Sequence, residues 1–139
     1  MVMYVAQVPS PHSMRMFTEV GRRVNVHDTG VGKAILAQLS EQQVRSIIDR
    51  RGLPTPTDRS ISTLEGLLTE LQSIRDRGFA IDDGEQEIGV RCYAIAVPNA
   101  PLPTAISVSG PDTRVDASFG ERAVPLLHAA AAEVSAALN

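Results

Sequence analysis

Residues 79–109 narrow the possible folds more than any other part of this sequence, because three β-prone segments follow one another there. We predict strands at Phe79–Asp82, Ile88–Val97 and Pro103–Ser109. The connection after Val97 contains three prolines, and proline cannot donate to a central ladder, so this connection is a turn. The three segments are therefore expected to form successive antiparallel strands of one sheet.

Side chains alternate across a strand, which divides these three segments into two faces. The large apolar face, a suitable partner for amphipathic helices, consists of Phe79, Ile81, Tyr93, Ile95, Val97, Ile106 and Val108. The small-residue face, which also carries a few polar groups, consists of Asp82, Val90, Cys92, Ala94, Ala96, Ala105, Ser107 and Ser109. Polar groups gathered among small side chains are typical of a binding surface for a small molecule.

The turn between the second and third segments determines how their residues pair. We expect this turn to pair Val97 with Leu102. In an antiparallel ladder, that register places Cys92 opposite Ser107. A side-chain sulfur and a hydroxyl would then be direct neighbours on the small-residue face.

A polar row across all three strands follows from this register. Val90 comes to lie opposite Ser109, and a hairpin between the first two segments pairs Asp82 with Cys92. The row Asp82–Cys92–Ser107 would bring a carboxylate, a thiol and hydroxyls within reach of one small metabolite, because cross-strand neighbours lie ~5 Å apart. In the alternative interpretation, the small residues only allow close packing and the serines bond to the backbone.

Four helices are predicted around this sheet. Two of them begin with capping boxes, S-x-x-Q at Ser40 and S-x-x-E at Ser62, and both carry an apolar stripe at helical spacing. Glycines in the expected left-handed position end both helices. The predicted helices cover Lys33–Leu39, Ser40–Gly52, Ser62–Gly78 and the alanine-rich tail Leu127–Leu138.

The fold class follows from these elements. Two further strands are predicted at Met1–Val8 and Ser13–Val20. The expected class is α/β, in the α+β sense of an antiparallel sheet with helices packed on one face. The length of 139 residues predicts a single domain over residues 1–139.

Charge and composition exclude several functions. A net charge of −3 makes the chain a poor candidate for gripping a nucleic-acid backbone by itself. No apolar run approaches the ~18 residues that cross a bilayer, and the first residues lack the pattern of a secretion signal, so no membrane partner is expected. One cysteine forms neither an internal disulfide nor a thiolate metal cage, which fits a cytoplasmic location.

The glycine-rich turn Thr29–Lys33 precedes a predicted helix, where free backbone N–H groups attract anions. It is not a phosphate-binding P-loop, because Ala34 follows Lys33 where Ser or Thr is required, and His27 stands in place of the first glycine. A carboxylate is therefore a more suitable ligand for this turn than a triphosphate. The alternative is an ordinary tight loop with Lys33 in solvent.

Four stretches of the sequence match one family pattern in their order and spacing. They are Val20–Ala37, Leu71–Asp82, Gly89–Ala94 and Ala105–Pro111. Together they resemble the effector-binding domain of the IclR family of bacterial transcription regulators, and the resemblance covers nearly the whole chain. It implies an antiparallel α/β domain, related to the GAF and profilin folds, that senses a small molecule, often an organic acid. It also implies a homodimer or homotetramer, and neither a catalytic residue, a metal nor a cofactor.

The resemblance also implies an effector pocket. Met16 and Val24 would form its apolar wall, and Gly30 and Val31 would supply backbone donors. The sheet would contribute Asp82, Val90, Cys92, Ser107 and Ser109.

The sequence departs from the family pattern at its front. The resemblance does not include the family's winged helix-turn-helix domain, its linker helix or the first strand of its effector-binding domain. A fragment, a misassigned start and a natural truncation are all consistent with this. Contact with DNA is expected only through that absent N-terminal domain.

Two other functions compete with a sensor. One is a small enzyme or metal-binding domain that uses Cys92 and Asp82, with His27 nearby. The other is a purely structural oligomerisation module. The first requires an activated thiol, and the second requires that no small acid binds.

Overall fold

The computed structural model of this chain describes residues 1–9, 11 and 20–139. In that part of the chain the elements are β1 (Val2–Met3), β2 (Arg23–Val24), α1 (Gly30–Leu36), α2 (Glu41–Arg51), α3 (Leu64–Arg77), β3 (Ala80–Asp83), β4 (Val90–Ala96), β5 (Ala105–Pro111) and α4 (Ala117–Leu138). The strand predicted at Ser13–Val20 lies outside the described residues, apart from Val20. No helix in the described part is long and apolar enough to cross a membrane.

Strands β3, β4 and β5 form the predicted antiparallel sheet, in that order. The predicted pairing of Asp82 with Cys92 is confirmed. The predicted pairing of β4 with β5 is wrong by two residues, because Cys92 lies opposite Ser109 rather than Ser107. Since a shift of two residues preserves the side-chain alternation, both faces keep their predicted members.

The proline-rich connection explains the shifted register. The Val97 amide donates to the carbonyl oxygen of Thr104 at 2.9 Å, so Leu102 lies in the loop rather than in the ladder. This longer loop also places Val90 opposite Pro111, not opposite Ser109 as predicted. Three prolines cannot continue a ladder, so pairing resumes only beyond them.

The fold class, a mixed helix and antiparallel sheet structure, is confirmed, but helices cover both faces of the sheet rather than one. Helix α1 lies on the small-residue face, where a Cβ atom at Gly30 would be 2.7 Å from the Cys92 sulfur. Helix α4 lies on the large apolar face, where a Cβ atom at Gly120 would overlap the Tyr93 ring. Glycines at the contact points thus let one helix approach each face closely.

Two apolar clusters hold these layers together. The stripes of α2 and α3 do not pack on the large apolar face as expected. They pack with α1 and the small-residue face in a cluster of Val26, Val31, Ala34, Leu36, Ala37, Val44, Ile48, Leu67, Leu71, Ile74, Ala80, Cys92 and Ala94. On the other side, α4 covers the large apolar face in a cluster of Tyr93, Ile95, Val97, Val115, Leu127 and Ala131.

The helix termini follow the predictions in part. The capping box at Ser40 is confirmed, with the Gln43 amide 3.1 Å from the serine hydroxyl. Helix α3 is capped by Thr63 instead of Ser62, because the Thr63 hydroxyl accepts from the Gly66 amide. Helix α4 starts well before the predicted Leu127, and it accommodates Pro125 in its interior. Of the strand predicted at Met1–Val8, only Val2–Met3 forms a strand, β1, and it pairs with β2.

Candidate functional site

The candidate site lies on the small-residue face, beneath the first turn of α1. Asp82 on β3, Cys92 on β4 and Ser109 on β5 form one row across the sheet, with Ser107 two residues away along β5. The first two residues are buried, and Ser109 is exposed to solvent. The row therefore runs from the interior of the protein to a serine that is exposed to solvent.

The thiol in the centre of this row is protonated at neutral pH. Burial raises the pKa of Cys92 to about 11, although hydrogen bonds with Ser109 and Ser107 act in the opposite direction. These contacts confirm that the sulfur and both hydroxyls come together. A neutral thiol beside two hydroxyls provides weak donors without a charge, and it lacks the activation that a nucleophile requires.

The carboxyl group at the inner end of the row titrates close to neutral pH. Burial raises the pKa of Asp82 to about 7. The backbone amide of Glu85, which donates to Asp82 Oδ1 at 2.9 Å, opposes this shift. Of the nearby charges, those of Glu85 and Asp28 raise the pKa and that of Lys33 lowers it.

Lys33 lies in the interior, not in solvent as one interpretation of the glycine-rich turn had it. Its side chain is fully buried, and its ammonium group donates to Glu85 Oε2 at 2.9 Å and to the Ile81 carbonyl oxygen at 2.6 Å. Glu70 Oε1 lies at the 4.0 Å limit of an ion pair. Burial raises the pKa of Glu85, and the Lys33 charge opposes that shift.

A second buried carboxyl group lies near the row. Asp28 is fully buried and accepts from the side-chain amide of Asn25 at 3.1 Å through Oδ2. Its other oxygen, Oδ1, has no hydrogen-bond partner among the described residues. Burial raises the pKa of the Tyr4 hydroxyl, and the negative forms of Cys92, Asp82 and Asp28 raise it further, which places Tyr4 beside the same cluster.

The predicted site residues fall into three groups. The structure brings together Gly30, Asp82, Cys92, Ser107 and Ser109. Val31 is buried in the same core cluster as Cys92, whereas Val24 is buried on β2, outside the three-stranded sheet, and Val90 lies half-buried at the start of β4. Met16 lies outside the described residues.

Sequence reasoning missed Tyr4, Asp28, Lys33 and Glu85 as members of the cluster. Lys33 follows Gly30 by three residues in α1, so helical periodicity alone places both on one face. Tyr4 lies two residues after Val2 in the β-prone opening, so both are on the half-buried side of that segment, which is a weaker signal. Nothing in the local sequence distinguishes Asp28 or Glu85 from solvent-exposed acids.

His27, which the competing enzyme interpretation places near Cys92, contacts a different loop. The Nε2 atom of His27 is 2.6 Å from the carbonyl oxygen of Pro54, on the chain that follows α2. In the described part of the chain, no group of three His, Cys, Asp or Glu side chains is placed to hold a metal ion. Within the described residues, Cys92 and Asp82 therefore lack a third metal ligand.

A separate cleft of about 240 Å³ opens between α1, α3, α4 and the end of β4. Its lining includes Gln38, Arg75, Ala96 and His128. None of the predicted site residues contributes to it. This volume is below the roughly 300 Å³ at which drug-sized ligand pockets begin.

Comparisons with known proteins agree with one another. The family model "Bacterial transcriptional regulator IclR C-terminal" matches residues 1–136. The HTH-type transcriptional regulator KdgR of Escherichia coli K12 is 31% identical over 140 residues, which is 99% of this chain and 53% of that protein. The chain thus spans about half the length of this curated relative.

Solved structures show the same fold. The crystal structure of Thermotoga maritima IclR is similar, with a TM-score of 0.90 and 30% identity, over 98% of this chain and 56% of that one. A complex of a double mutant of the PobR inducer-binding domain of Acinetobacter with 3-hydroxybenzoic acid is also similar. Its TM-score is 0.77 at 28% identity, over 84% of this chain and 69% of that one.

Proposed function

This chain belongs to the IclR family of bacterial transcriptional regulators, as an effector-binding domain, and we propose that it senses a small carboxylic acid. The observation that carries the proposal is the convergence of Asp82, Cys92 and two serines beneath Gly30. A buried polar cluster needs partners, and a bound ligand provides them. The PobR domain, with its bound hydroxybenzoate, shows this class of ligand on a related domain.

The proposed pocket uses three kinds of contact. Gly30 and Val31, at the start of α1, are proposed to present backbone amides to the acid. Met16 and Val24 are proposed as its apolar wall. The sheet side of the pocket is proposed to consist of Asp82, Val90, Cys92, Ser107 and Ser109.

The exposed end of the row suggests the direction of entry. Ser109 is exposed on β5, whereas Asp82 is only 5% exposed at the far end. An acid that entered at β5 would meet the hydroxyls first and the buried carboxyl last. The ligand would lose its hydration water as it moved from the exposed hydroxyl to the buried carboxyl.

The output of the domain is proposed to be a change in the arrangement of a homodimer or homotetramer. A ligand shifts such an equilibrium by its difference in affinity for two arrangements. We propose that a winged helix-turn-helix domain in the same regulator reads this change on DNA in the cytoplasm. The domain itself is proposed to be neither an enzyme nor a metal protein.

A thermal-shift experiment tests the sensor. The chain is heated with acetate, glycolate, pyruvate, benzoate or 3-hydroxybenzoate. An acid at about 100 times its Kd stabilises the folded state by about 2.7 kcal/mol. For a chain of this size, that gain raises Tm by about 10 °C.

Variants assign the shift to the proposed pocket. The double variant Ser107→Ala/Ser109→Ala should lose most of the shift, and Asp82→Ala should weaken it while keeping the circular dichroism spectrum. Ser118→Ala removes a hydroxyl from the exposed start of α4 and serves as the matched control. A panel in which no acid raises Tm, or a double variant with the full shift, would contradict the proposal.

A further inference from the structure

The charged groups buried around the candidate site do not balance. Three carboxyl groups, those of Asp28, Asp82 and Glu85, are each at least nine-tenths buried. Among the described residues, Lys33 supplies the one buried ammonium group beside them, and the buried His27 Nε2 lies 3.9 Å from Asp28 Oδ2. Buried charges without partners are costly, and the ion pairs among the described residues leave the Asp82 carboxyl without a cationic partner.

The positive charge in this cluster is directed at Glu85 and Glu70 rather than at Asp28 or Asp82. Lys33 lies 2.9 Å from Glu85 Oε2 and 2.6 Å from the Ile81 carbonyl oxygen, so its donors point to the β3 strand and its following turn. Neither Asp28 nor Asp82 is within the 4.0 Å ion-pair distance of this ammonium group. A carboxylate ligand would therefore gain little from Lys33.

The Asp82 carboxyl is buried and holds one backbone donor. Its Oδ1 accepts from the Glu85 amide at 2.9 Å. Asp82 also directly faces Cys92, whose thiol and serine neighbours are neutral. A protonated Asp82 would add a strong neutral donor to this set.

We propose that a carboxylate effector enters this site together with a proton, which resides on Asp82, so that neutral donors recognise the anion. This inference rests on the proposed function and specifies how the site accommodates the negative charge of the effector. The proton comes from the surrounding buffer, and no covalent bond changes. An anion held beside ionised Asp82, with Asp28 also near, would instead face uncompensated repulsion in the interior.

The surroundings of Asp82 favour this protonation. The groups that face it are Glu85, Lys33 and Asp28, with Cys92 opposite on β4 and Tyr4 just after β1. Burial is the largest cause that raises the pKa of Asp82 to about 7, and the Lys33 charge lowers it only in part. A bound anion would raise the pKa of Asp82 further.

The pH dependence of binding follows from this linkage. If only the protonated site accepts the anion, Kd rises about tenfold between pH 6 and pH 8. Proton uptake on binding approaches one per ligand at pH 8 and is about half of that at pH 7. Because binding takes up a proton, the affinity for the acid falls as pH rises.

Isothermal titration calorimetry measures both quantities. The full chain is titrated with the same five acids at pH 6, 7 and 8, in phosphate and in imidazole buffer, whose ionisation enthalpies differ. Asp82→Asn keeps an amide donor but cannot titrate, so its Kd should be independent of pH and its proton uptake zero. The matched control Asp83→Asn changes the adjacent half-exposed carboxyl, which pairs with Arg59 and Arg91, and should retain the pH dependence.

The outcomes separate this inference from the function on which it rests. Binding without proton uptake in the unaltered chain would overturn the inference and leave the sensor proposal intact. The unchanged pH dependence of a folded Asp82→Asn variant would also overturn it, because another group would then carry the proton. Failure of every acid to bind at any pH would overturn both proposals.

Discussion

The close contact between α1 and the sheet predicts that Gly30→Ala destabilises the protein. A Cβ atom at this position would lie 2.7 Å from the Cys92 sulfur and 3.2 Å from the Ala94 Cβ atom. Both neighbours are short, buried side chains on a central strand, so neither can move aside easily. Helix α1 would have to move away from the small-residue face.

The magnitude follows from two opposing effects. Overpacking of a buried contact costs about 1–3 kcal/mol. Alanine is more favourable than glycine within a helix by up to about 1 kcal/mol, and less than that in the first turn. We therefore expect Gly30→Ala to lower the free energy of unfolding by about 1–2 kcal/mol. Urea unfolding followed by circular dichroism measures this change, with an unchanged m-value.

A double-mutant cycle with Cys92→Ala tests the cause. Removal of the sulfur leaves a Cβ–Cβ distance of 3.5 Å, which is an ordinary contact. The double variant should therefore be more stable than the sum of the single changes predicts, by about 1 kcal/mol. A neutral or stabilising Gly30→Ala, or additive effects in the cycle, would refute this packing of α1 on Cys92.

Two further predictions concern the buried charges. Lys33→Met leaves the Glu85 carboxylate without its ammonium partner and should lower the free energy of unfolding by about 3 kcal/mol. In urea unfolding, Glu85→Gln in the same chain should restore part of this loss, and a loss below about 1 kcal/mol would contradict the pairing. Because burial raises the pKa of Asp82 to about 7, the folded state retains a proton that the unfolded chain releases near its ordinary value of 3.8. Stability should therefore fall as pH rises from about 4 to about 7, and Asp82→Asn should flatten that slope in urea unfolding at pH 5 and pH 8.

Much of the fold was predictable because its signals are local. Alternation predicted that Asp82 and Cys92 share a face, and a hairpin between their strands predicted that they pair, which the structure confirms. The capping box at Ser40 and the left-handed glycine at Gly78 mark helix ends where predicted. Each of these features depends on a few consecutive residues, so neighbours in sequence suffice to determine it.

The register between β4 and β5 was not predictable in the same way. The loop between the strands contains three prolines, and the point beyond them at which pairing resumes decides which residues pair. The error of two residues exchanged Ser107 and Ser109 as the partner of Cys92. It left both on the same face, because alternation has a period of two.

The candidate site likewise contains residues that the sequence predicts and residues that it does not. Alternation within strands and the family resemblance identified Asp82, Cys92 and the serines from the sequence. Only the tertiary structure revealed that Lys33 is buried, since its partner Glu85 lies 52 residues further along the chain. A charged side chain is placed in solvent by default, and burial becomes favourable only when a distant segment brings the opposite charge to it. The pattern of residues thus determined which groups share a face, whereas long-range packing decided which charges lie beneath it.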